Sequence, residues 1–365
     1  MTLFEIIFIA VLSLYFIHLV VFSIGASKKY PKVNDDALPS STVIVAARNE
    51  EDKILECITS LDKMEFPEGK LEIILVNDHS TDRTGDIISE FIKDKPKFKL
   101  LVPEKAIGSL KGKTNALANA IKFAAGEIIL TTDADCNVNP LWAKTMASYY
   151  QKDVAFVGGF TTQEDKTSFG GMQAIDFLYL LTIASGALNL GKPLAAIGNN
   201  MSYRKSVYDE IGGYENIPFS ITEDFRLLMA IWNLKKYKCI YPIDQNSMIT
   251  SKACPDFPTL FWQKKRWAVG GMESDFISYL IMVWGYISKA AILLTPLFFS
   301  LTALYLCIFK IAVDYFFVKP VFNRLRVRMK FSHFIAFEIY YTLYVLMLPF
   351  IVLPSRKVKW KGRTF

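Results

Sequence analysis

Cysteine and histidine are scarce. Five cysteines lie scattered at 57, 136, 239, 254 and 307 with no CxxC pair, and there are only three histidines in 365 residues. A zinc site or a disulfide framework is therefore not expected, and a reducing compartment is the default. Charge is also sparse: Asp, Glu, Lys and Arg make up 21% of the chain against 52% hydrophobic and 14% aromatic residues, with a mean hydropathy of +0.26. That balance excludes intrinsic disorder and is too apolar for an ordinary soluble domain. No internal repeat and no low-complexity segment is present. At roughly 150 residues per domain the length allows one or two domains, once the membrane segments are subtracted.

The charge that is present has a pattern. Forty-two Lys and Arg against 35 Asp and Glu give +7, and much of the excess adjoins apolar runs, in KKYPK (28–32), RLRVRMK (324–330) and RKVKWKGR (356–363). This is juxtamembrane charge at an anionic lipid surface, not a nucleic-acid-binding face. Residues 3–24 are almost wholly apolar, interrupted by Glu5 and His18, and about 22 residues at 1.5 Å each cross a 30 Å hydrocarbon core. The lysines follow this run instead of preceding it, so it reads as an uncleaved anchor with its N-terminus outside and the following domain in the cytoplasm. Residues 276–318 form a second apolar stretch, broken by Ser288, Lys289, Pro296, Lys310 and Asp314, and residues 333–353 a third. The second is either one span plus an interfacial helix or a tight hairpin of two. Charge counting leaves two and three C-terminal crossings both open.

Between these stretches the chain alternates. TVIVAA (42–47), LEIILV (71–76), FKLLV (98–102), EIILTT (127–132) and VAFVGG (154–159) are short apolar runs bounded by turn residues, and they predict strands. Helical patterns fill the gaps from Glu50 to Leu61, Asp82 to Ile92 and Thr114 to Ala125. Strand-helix alternation at this spacing predicts an α/β domain with a mostly parallel, doubly wound sheet. Its ligand would sit at the carboxyl ends of the strands.

Polar clusters follow three of those strands: Arg48-Asn49-Glu50, Asn77 to Asp82, and Asp133-Ala134-Asp135. Each alone has a plain reading as turn or helix cap, for example Asp82 capping the next helix, or Asn139 capping one that opens with Pro140. Their recurrence at successive strand ends is what points to a site. Two carboxylates two positions apart, Asp133 and Asp135, suit a hard divalent cation bridging to diphosphate oxygens. The segment from Gly108 to Thr114 has three residues between its glycines where a P-loop needs four, which excludes that ATPase motif. Lys113 at this glycine-flanked helix start is either a phosphate contact or a solvated surface lysine. Ser220 to Asp224 opens an amphipathic helix, with Thr222 as a natural N-cap and Glu223 or Asp224 as either first-turn acid or general base. Gln263, Arg266 and Trp267 share one helix face just before the membrane stretch. Arg neutralises a diphosphate and Trp offers a stacking platform for a sugar ring. The competing account is an interfacial Trp with snorkelling Lys264 and Lys265.

In order, VAARNE (45–50), VNDHSTD (76–82), TTDAD (131–135), GNNMSYRK (198–205), TED (222–224) and QKKRW (263–267) resemble the family 2 glycosyltransferases of the Rossmann-like GT-A fold. Closest in motif are the membrane-embedded members with D, DxD, TED and QxxRW signatures, which include cellulose, chitin and hyaluronan synthases and ceramide glucosyltransferase-like enzymes. The resemblance implies a transmembrane anchor (1–26), a catalytic domain (41–270), interfacial and transmembrane helices (271–355) and a basic tail (356–365). It also implies an integral protein of a bacterial-type plasma or inner membrane. Asp78 with Arg48, Asn49 and Glu50 would hold the uridine of a nucleotide sugar. Asp135 and Asp133 would meet the diphosphate through Mg²⁺ or Mn²⁺, with Lys113 and Glu223 beside the substrate. Asp224 would be the catalytic base, Gln263 and Arg266 diphosphate contacts, and Trp267 the acceptor platform. The implied reaction is inverting, hexosyl transfer to a lipid or saccharide acceptor at the membrane, with no nucleic acid involved. With so few C-terminal spans, a single transfer to a lipid is favoured over a processive polysaccharide synthase working as an assembly. A membrane nucleotidyltransferase, the remaining alternative, gives no reason for TED and QxxRW.

Overall fold

The computed structural model describes residues 1–272, 276–360 and 363–364. In chain order, α1 (Leu3–Ala26) is followed by β1 (Ser41–Ala47), α2 (Ile54–Asp62), β2 (Leu71–Asn77), α3 (Thr84–Ile92), β3 (Phe98–Leu101) and α4 (Gly112–Phe123). Then come β4 (Ile128–Asp133), β5 (Cys136–Val138), α5 (Trp142–Ser148), β6 (Val154–Gly158), β7 (Thr161–Gln163) and α6 (Ser168–Asn189). β8 (Met201–Arg204), α7 (Lys205–Glu210), α8 (Glu223–Asn233), β9 (Lys238–Ile240) and β10 (Ile249–Ser251) precede α9 (Phe257–Gly271), α10 (Phe276–Leu294), α11 (Leu301–Arg324) and α12 (Phe331–Val352). Two short strands, β11 (Lys359–Trp360) and β12 (Arg363–Thr364), pair within the basic tail, of which residues 361, 362 and 365 lie outside the described residues. The chain divides into two compact units. Residues 28–162 and 191–252 form one, and residues 1–27, 163–190 and 253–365 form the other.

The first unit is built on a seven-stranded sheet in the order β3-β2-β1-β4-β8-β6-β9. All five strands expected from the sequence are in it. β1 pairs in parallel with β2 and β4, β2 with β3, and β6 with β9. β8 runs antiparallel between β4 and β6, so the sheet is mixed though mostly parallel. Val43, Ile44, Val45, Ile73, Ile74 and Leu75 are fully buried, as befits strands covered on both faces. The register aligns the strand ends, for Ala46 is paired with Val76 on one side and Asp133 on the other. The polar clusters after these three strands therefore leave the sheet at one level, on its carboxyl edge.

The second unit gathers the long apolar helices. α1, α6, α11 and α12 are each long and apolar enough to cross a membrane, and Ser278–Leu294 is a shorter apolar helix. The stretch from 276 is thus two helices, α10 and α11, parted at the Pro296 turn and not at its charged residues. Lys310 and Asp314 are one helical turn apart and form an ion pair at 2.6 Å, with Glu338 of α12 at 2.7 Å from the same ammonium. Tyr15 of α1 donates to Asp314 at 2.5 Å and lies 2.6 Å from the Tyr179 hydroxyl of α6. Charge among apolar helices of this kind is tolerated when paired in this way. α6 was not separable from the catalytic domain by hydropathy because its residues are interrupted by Gln173 and Asp176. It packs on α1 through Gly25 and Gly186, where a Cβ on Gly25 would lie 2.1 Å from the Gly186 carbonyl oxygen. Small residues permit such backbone approach between helices.

Candidate active site

The turns after β1 and β2 hold each other. Asn49 and His79 both adopt left-handed backbone, with φ 53° and 54°, a conformation Asn accepts more readily than most residues. The Thr81 N–H donates to Asn49 Oδ1 at 2.9 Å, and the Asn49 N–H donates to Ser80 Oγ at 3.1 Å. The Asp78 N–H donates to the Ala47 carbonyl at 2.8 Å, and the Arg48 guanidinium stands 3.9 Å from the buried Asp78 carboxylate. Glu50 is buried as well, 3.5 Å from the Lys53 ammonium. Asp82, by contrast, is an architectural residue. Its carboxylate accepts the N–H and hydroxyl of Thr84 and the N–H of Glu51. Burial works to raise its pKa, but these donors outweigh it and hold the group below the usual carboxylate range.

A second cluster lies at the end of β4. Gly112, with φ +57°, turns the chain into α4 and so places Lys113 in its first turn. The Lys113 ammonium is 2.5 Å from Asp133 Oδ1 and 3.6 Å from Glu223 Oε1. Burial pulls its pKa down, yet Asp133, Glu223 and Asp224 together overcome this and hold the ammonium above the ordinary lysine value. Lys113 is therefore no solvated surface lysine. It bridges the DxD strand end to the start of α8.

Asp224 is fixed by backbone donors. The Gly198 N–H donates to its Oδ2 at 2.7 Å and the Phe225 N–H to its Oδ1 at 2.8 Å. Thr222 occupies the N-cap position of α8 but makes no side-chain cap bond; its hydroxyl instead lies 3.1 Å from Ser220 Oγ. The expected Thr222 cap is not formed. Likewise α5 begins at Trp142 and not at Pro140. Asn139 serves it from a turn, its Oδ1 accepting the Leu141 N–H at 2.9 Å.

Sequence reasoning gave no role to the residues that frame this cluster. The Gly198 carbonyl accepts the Thr131 hydroxyl at 2.8 Å, so β4 itself holds the loop against Asp224. Asn199 accepts the Thr161 hydroxyl at 2.9 Å, and Asn200 accepts the Trp142 indole N–H at 2.9 Å while donating to the Phe160 and Ser247 carbonyls. The GNN signal was visible at 198–200; its partners, far apart in sequence, were not.

Asp133 closes β4, and Asp135 lies in the turn to β5. Two thiols lie close by, Cys57 Sγ at 3.6 Å from the Asp133 carbonyl and Cys136 Sγ at 3.6 Å from Asp135 Oδ1. Burial, and then the charges of Asp135 and Asp133, push both thiols far up. Asp133 and Asp135 offer carboxylate oxygens, which suit a hard cation of the Mg²⁺ or Mn²⁺ kind. Among the described residues no group of three or more His, Cys, Asp or Glu forms a metal cage, so such a cation would take its remaining ligands from water or substrate.

Gln263, Arg266 and Trp267 belong to the other unit, on α9. There the Trp267 ring stacks on Phe177 at 5.3 Å between centroids and an interplanar angle of 12°, with the Lys264 ammonium 4.2 Å above its centroid. Lys264 is buried, not snorkelling. The reason is a carboxylate inside the helix cluster: Lys264 pairs with the fully buried Asp176 of α6.

Residues 42–212 match the family described as Glycosyl transferase family 2, and residues 128–353 match Glycosyl transferase family group 2. The chain belongs to the family 2 glycosyltransferases. It is therefore an enzyme, a transferase that uses nucleotide sugars. It is 28% identical to a protein named probable glycosyltransferase YdaM of Bacillus subtilis, over 91% of this chain and 86% of that one. It is 28% identical to beta-monoglucosyldiacylglycerol synthase of Nostoc, over 67% of this chain, and to poly-beta-1,6-N-acetyl-D-glucosamine synthase of Staphylococcus aureus, over 68%. It spans only 52% and 60% of those two proteins. Among solved structures, the mannosyltransferase PcManGT from Pyrobaculum calidifontis, in complex with GDP-Man and Mn²⁺, matches with a TM-score of 0.61 at 19% identity, covering 93% of this chain and 99% of that one. The glycosyltransferase is thus of the GT-A fold.

Proposed function

We propose that this enzyme transfers a single sugar, with inversion, from a UDP-linked donor to a lipid acceptor at the membrane, its catalytic domain on the cytoplasmic side. One observation carries the reading: the Lys113 ammonium joins Asp133 of DxD to Glu223 of TED, with Asp224 held alongside by the Gly198 N–H. A transfer in which the acceptor hydroxyl loses its proton as a diphosphate departs needs a base and a diphosphate cradle within reach of each other. This cluster supplies carboxylates for both.

In this reading Asp78, Arg48 and Glu50 line the nucleoside end of the site, on the sheet edge that the β1–β2 register sets. Asp133 and Asp135 would hold Mg²⁺ or Mn²⁺, which when bound neutralises the diphosphate leaving group. Lys113 adds a cation on the same carboxylate and turns towards diphosphate oxygen when the donor is present. Asp224 takes the acceptor hydroxyl proton as the hydroxyl oxygen attacks the anomeric carbon from the face opposite the diphosphate. Two backbone N–H donors keep that carboxylate from rotating, so its attack-side oxygen is placed before substrate arrives. Gln263 and Arg266 on α9 add diphosphate contacts, and Trp267 serves as the acceptor platform.

A lipid acceptor is supported by the apolar helices that share the chain with the catalytic domain and by the name of the Nostoc relative. The Staphylococcus aureus relative keeps a processive reading in play. Washed membranes given radiolabelled UDP-sugar test both, with and without EDTA. The expected product is one lipid-soluble monoglycosylated species whose formation stops on chelation. Label recovered as long water-soluble polymer would overturn the single-transfer reading.

A further inference from the structure

Thr131 is fully buried in β4, at a position where valine has nearly the same shape and suits apolar surroundings better. A hydroxyl there needs a task. It donates to the Gly198 carbonyl at 2.8 Å. The backbone pairing of β4 with β8 ends at Thr131 opposite Met201, so this bond carries the contact three residues further, into the loop that leads into β8.

That loop is held at each of its three residues. Besides Gly198, Asn199 accepts the Thr161 hydroxyl at 2.9 Å, and the Asn200 amide is bonded to Trp142, Phe160 and Ser247. From this pinned loop the Gly198 N–H reaches Asp224 Oδ2 at 2.7 Å.

Thr131 and Asp133 stand two positions apart in one strand, so their side chains leave it on the same face, about 7 Å apart along the strand. A ring of contacts therefore begins and ends on β4. It runs from the Thr131 hydroxyl to the Gly198 carbonyl and from the Gly198 N–H to Asp224. The neighbouring Glu223 continues it to the Lys113 ammonium at 3.6 Å, which returns to Asp133 at 2.5 Å. One strand thus fixes the carboxylate on the diphosphate side directly and the carboxylate on the acceptor side through Thr131.

We infer that Thr131 is a positioning residue of sugar transfer: its hydroxyl holds Gly198, and Gly198 holds Asp224 at a set separation from Asp133. The inference rests on the reading of Asp224 as the base. Thr131 touches no reacting atom, so its removal changes how the base is aimed and leaves the contacts of the donor in place. A threonine that only satisfied a buried carbonyl would contribute to stability alone.

The test is Thr131→Val in the full-length protein, which removes the hydroxyl and keeps the shape. Transfer from radiolabelled UDP-sugar is followed in washed membranes holding equal amounts of each variant, and UDP affinity is measured on the detergent-purified protein. We expect kcat to fall by about 10-fold while UDP affinity stays within about two-fold of the parent protein. Thr131→Ser, which keeps the donor, should restore kcat. In the Asp224→Asn background, Thr131→Val should lower the residual turnover by less than about two-fold, because no base is left to aim. Losses that multiply in the double variant overturn the inference, and so does parental kcat for Thr131→Val or a fall in kcat matched by an equal fall in UDP affinity. Near-parental turnover by Asp224→Asn alone is a different result: it removes the base reading, and this inference with it. If Thr131→Val does not fold, Thr131→Cys, whose S–H is a weak donor, takes its place, and parental kcat for that variant is the overturning result.

Discussion

The Gly198 N–H donates to Asp224 Oδ2 at 2.7 Å, and a Cβ built on Gly198 would stand 3.3 Å from both that oxygen and the Lys113 ammonium. The glycine thus sits beside both the acid proposed as base and the cation proposed for the diphosphate. A methyl group there forces both side chains to move by a few tenths of an ångström. Gly198→Ala should lower kcat by about 10-fold, since small misplacement of a reacting group is costly, and should leave the unfolding temperature nearly unchanged because both displaced groups are flexible chain ends. Steady-state kinetics beside thermal unfolding checks this; a large loss of stability would make Gly198 a folding residue instead.

Lys113→Met removes the bridge between Asp133 and Glu223. Losing a hydrogen bond to a charged group costs about 1.5–3 kcal/mol, so kcat/KM for the donor should fall by about 10- to 150-fold. The requirement for divalent cation should persist, since both carboxylates of DxD remain. Full activity would return Lys113 to the role of a surface lysine.

The sheet and its carboxyl edge were legible in the sequence because strands buried on both faces read as unbroken apolar runs. VIVA and EIIL announce themselves, and the acids after them fall where such a sheet keeps its ligands. β8 escaped notice because MSYR is short and ends in Arg204, whose guanidinium is satisfied by the Val154 and Gln151 carbonyls, contacts that only the fold brings about. The frame of the site was hidden for the same reason: Thr131 is bonded to the Gly198 carbonyl 67 positions away. Hydropathy likewise misread Lys264. A lysine beside a membrane stretch is taken to reach for water, and only the structure reveals Asp176 waiting in α6.

Asp135→Ala should weaken UDP binding and remove its dependence on Mg²⁺ or Mn²⁺, because the cation loses its protein anchor. Isothermal titration of UDP with and without metal measures it. A metal-dependent affinity equal to that of the parent protein would make Asp135 a turn residue.

The Lys264–Asp176 pair bears on stability. Asp176 is fully buried and Lys264 is 3% exposed, and stranding one member of a buried pair costs about 3–5 kcal/mol. Asp176→Ala should therefore unfold at a markedly lower temperature than the parent protein. The double variant Asp176→Ala with Lys264→Met, which leaves no stranded charge, should recover a large part of the loss. Additive losses in the double variant would contradict this.

The central claim is that Asp224 is the base of sugar transfer, and Asp224→Asn tests it most directly because the amide keeps the shape and removes the proton acceptor. Binding of UDP-sugar and transfer to acceptor are to be measured on the same preparation. Donor affinity should stay within a few-fold of the parent protein while transfer falls by about 10²- to 10⁴-fold. Near-parental turnover by Asp224→Asn would contradict the assignment.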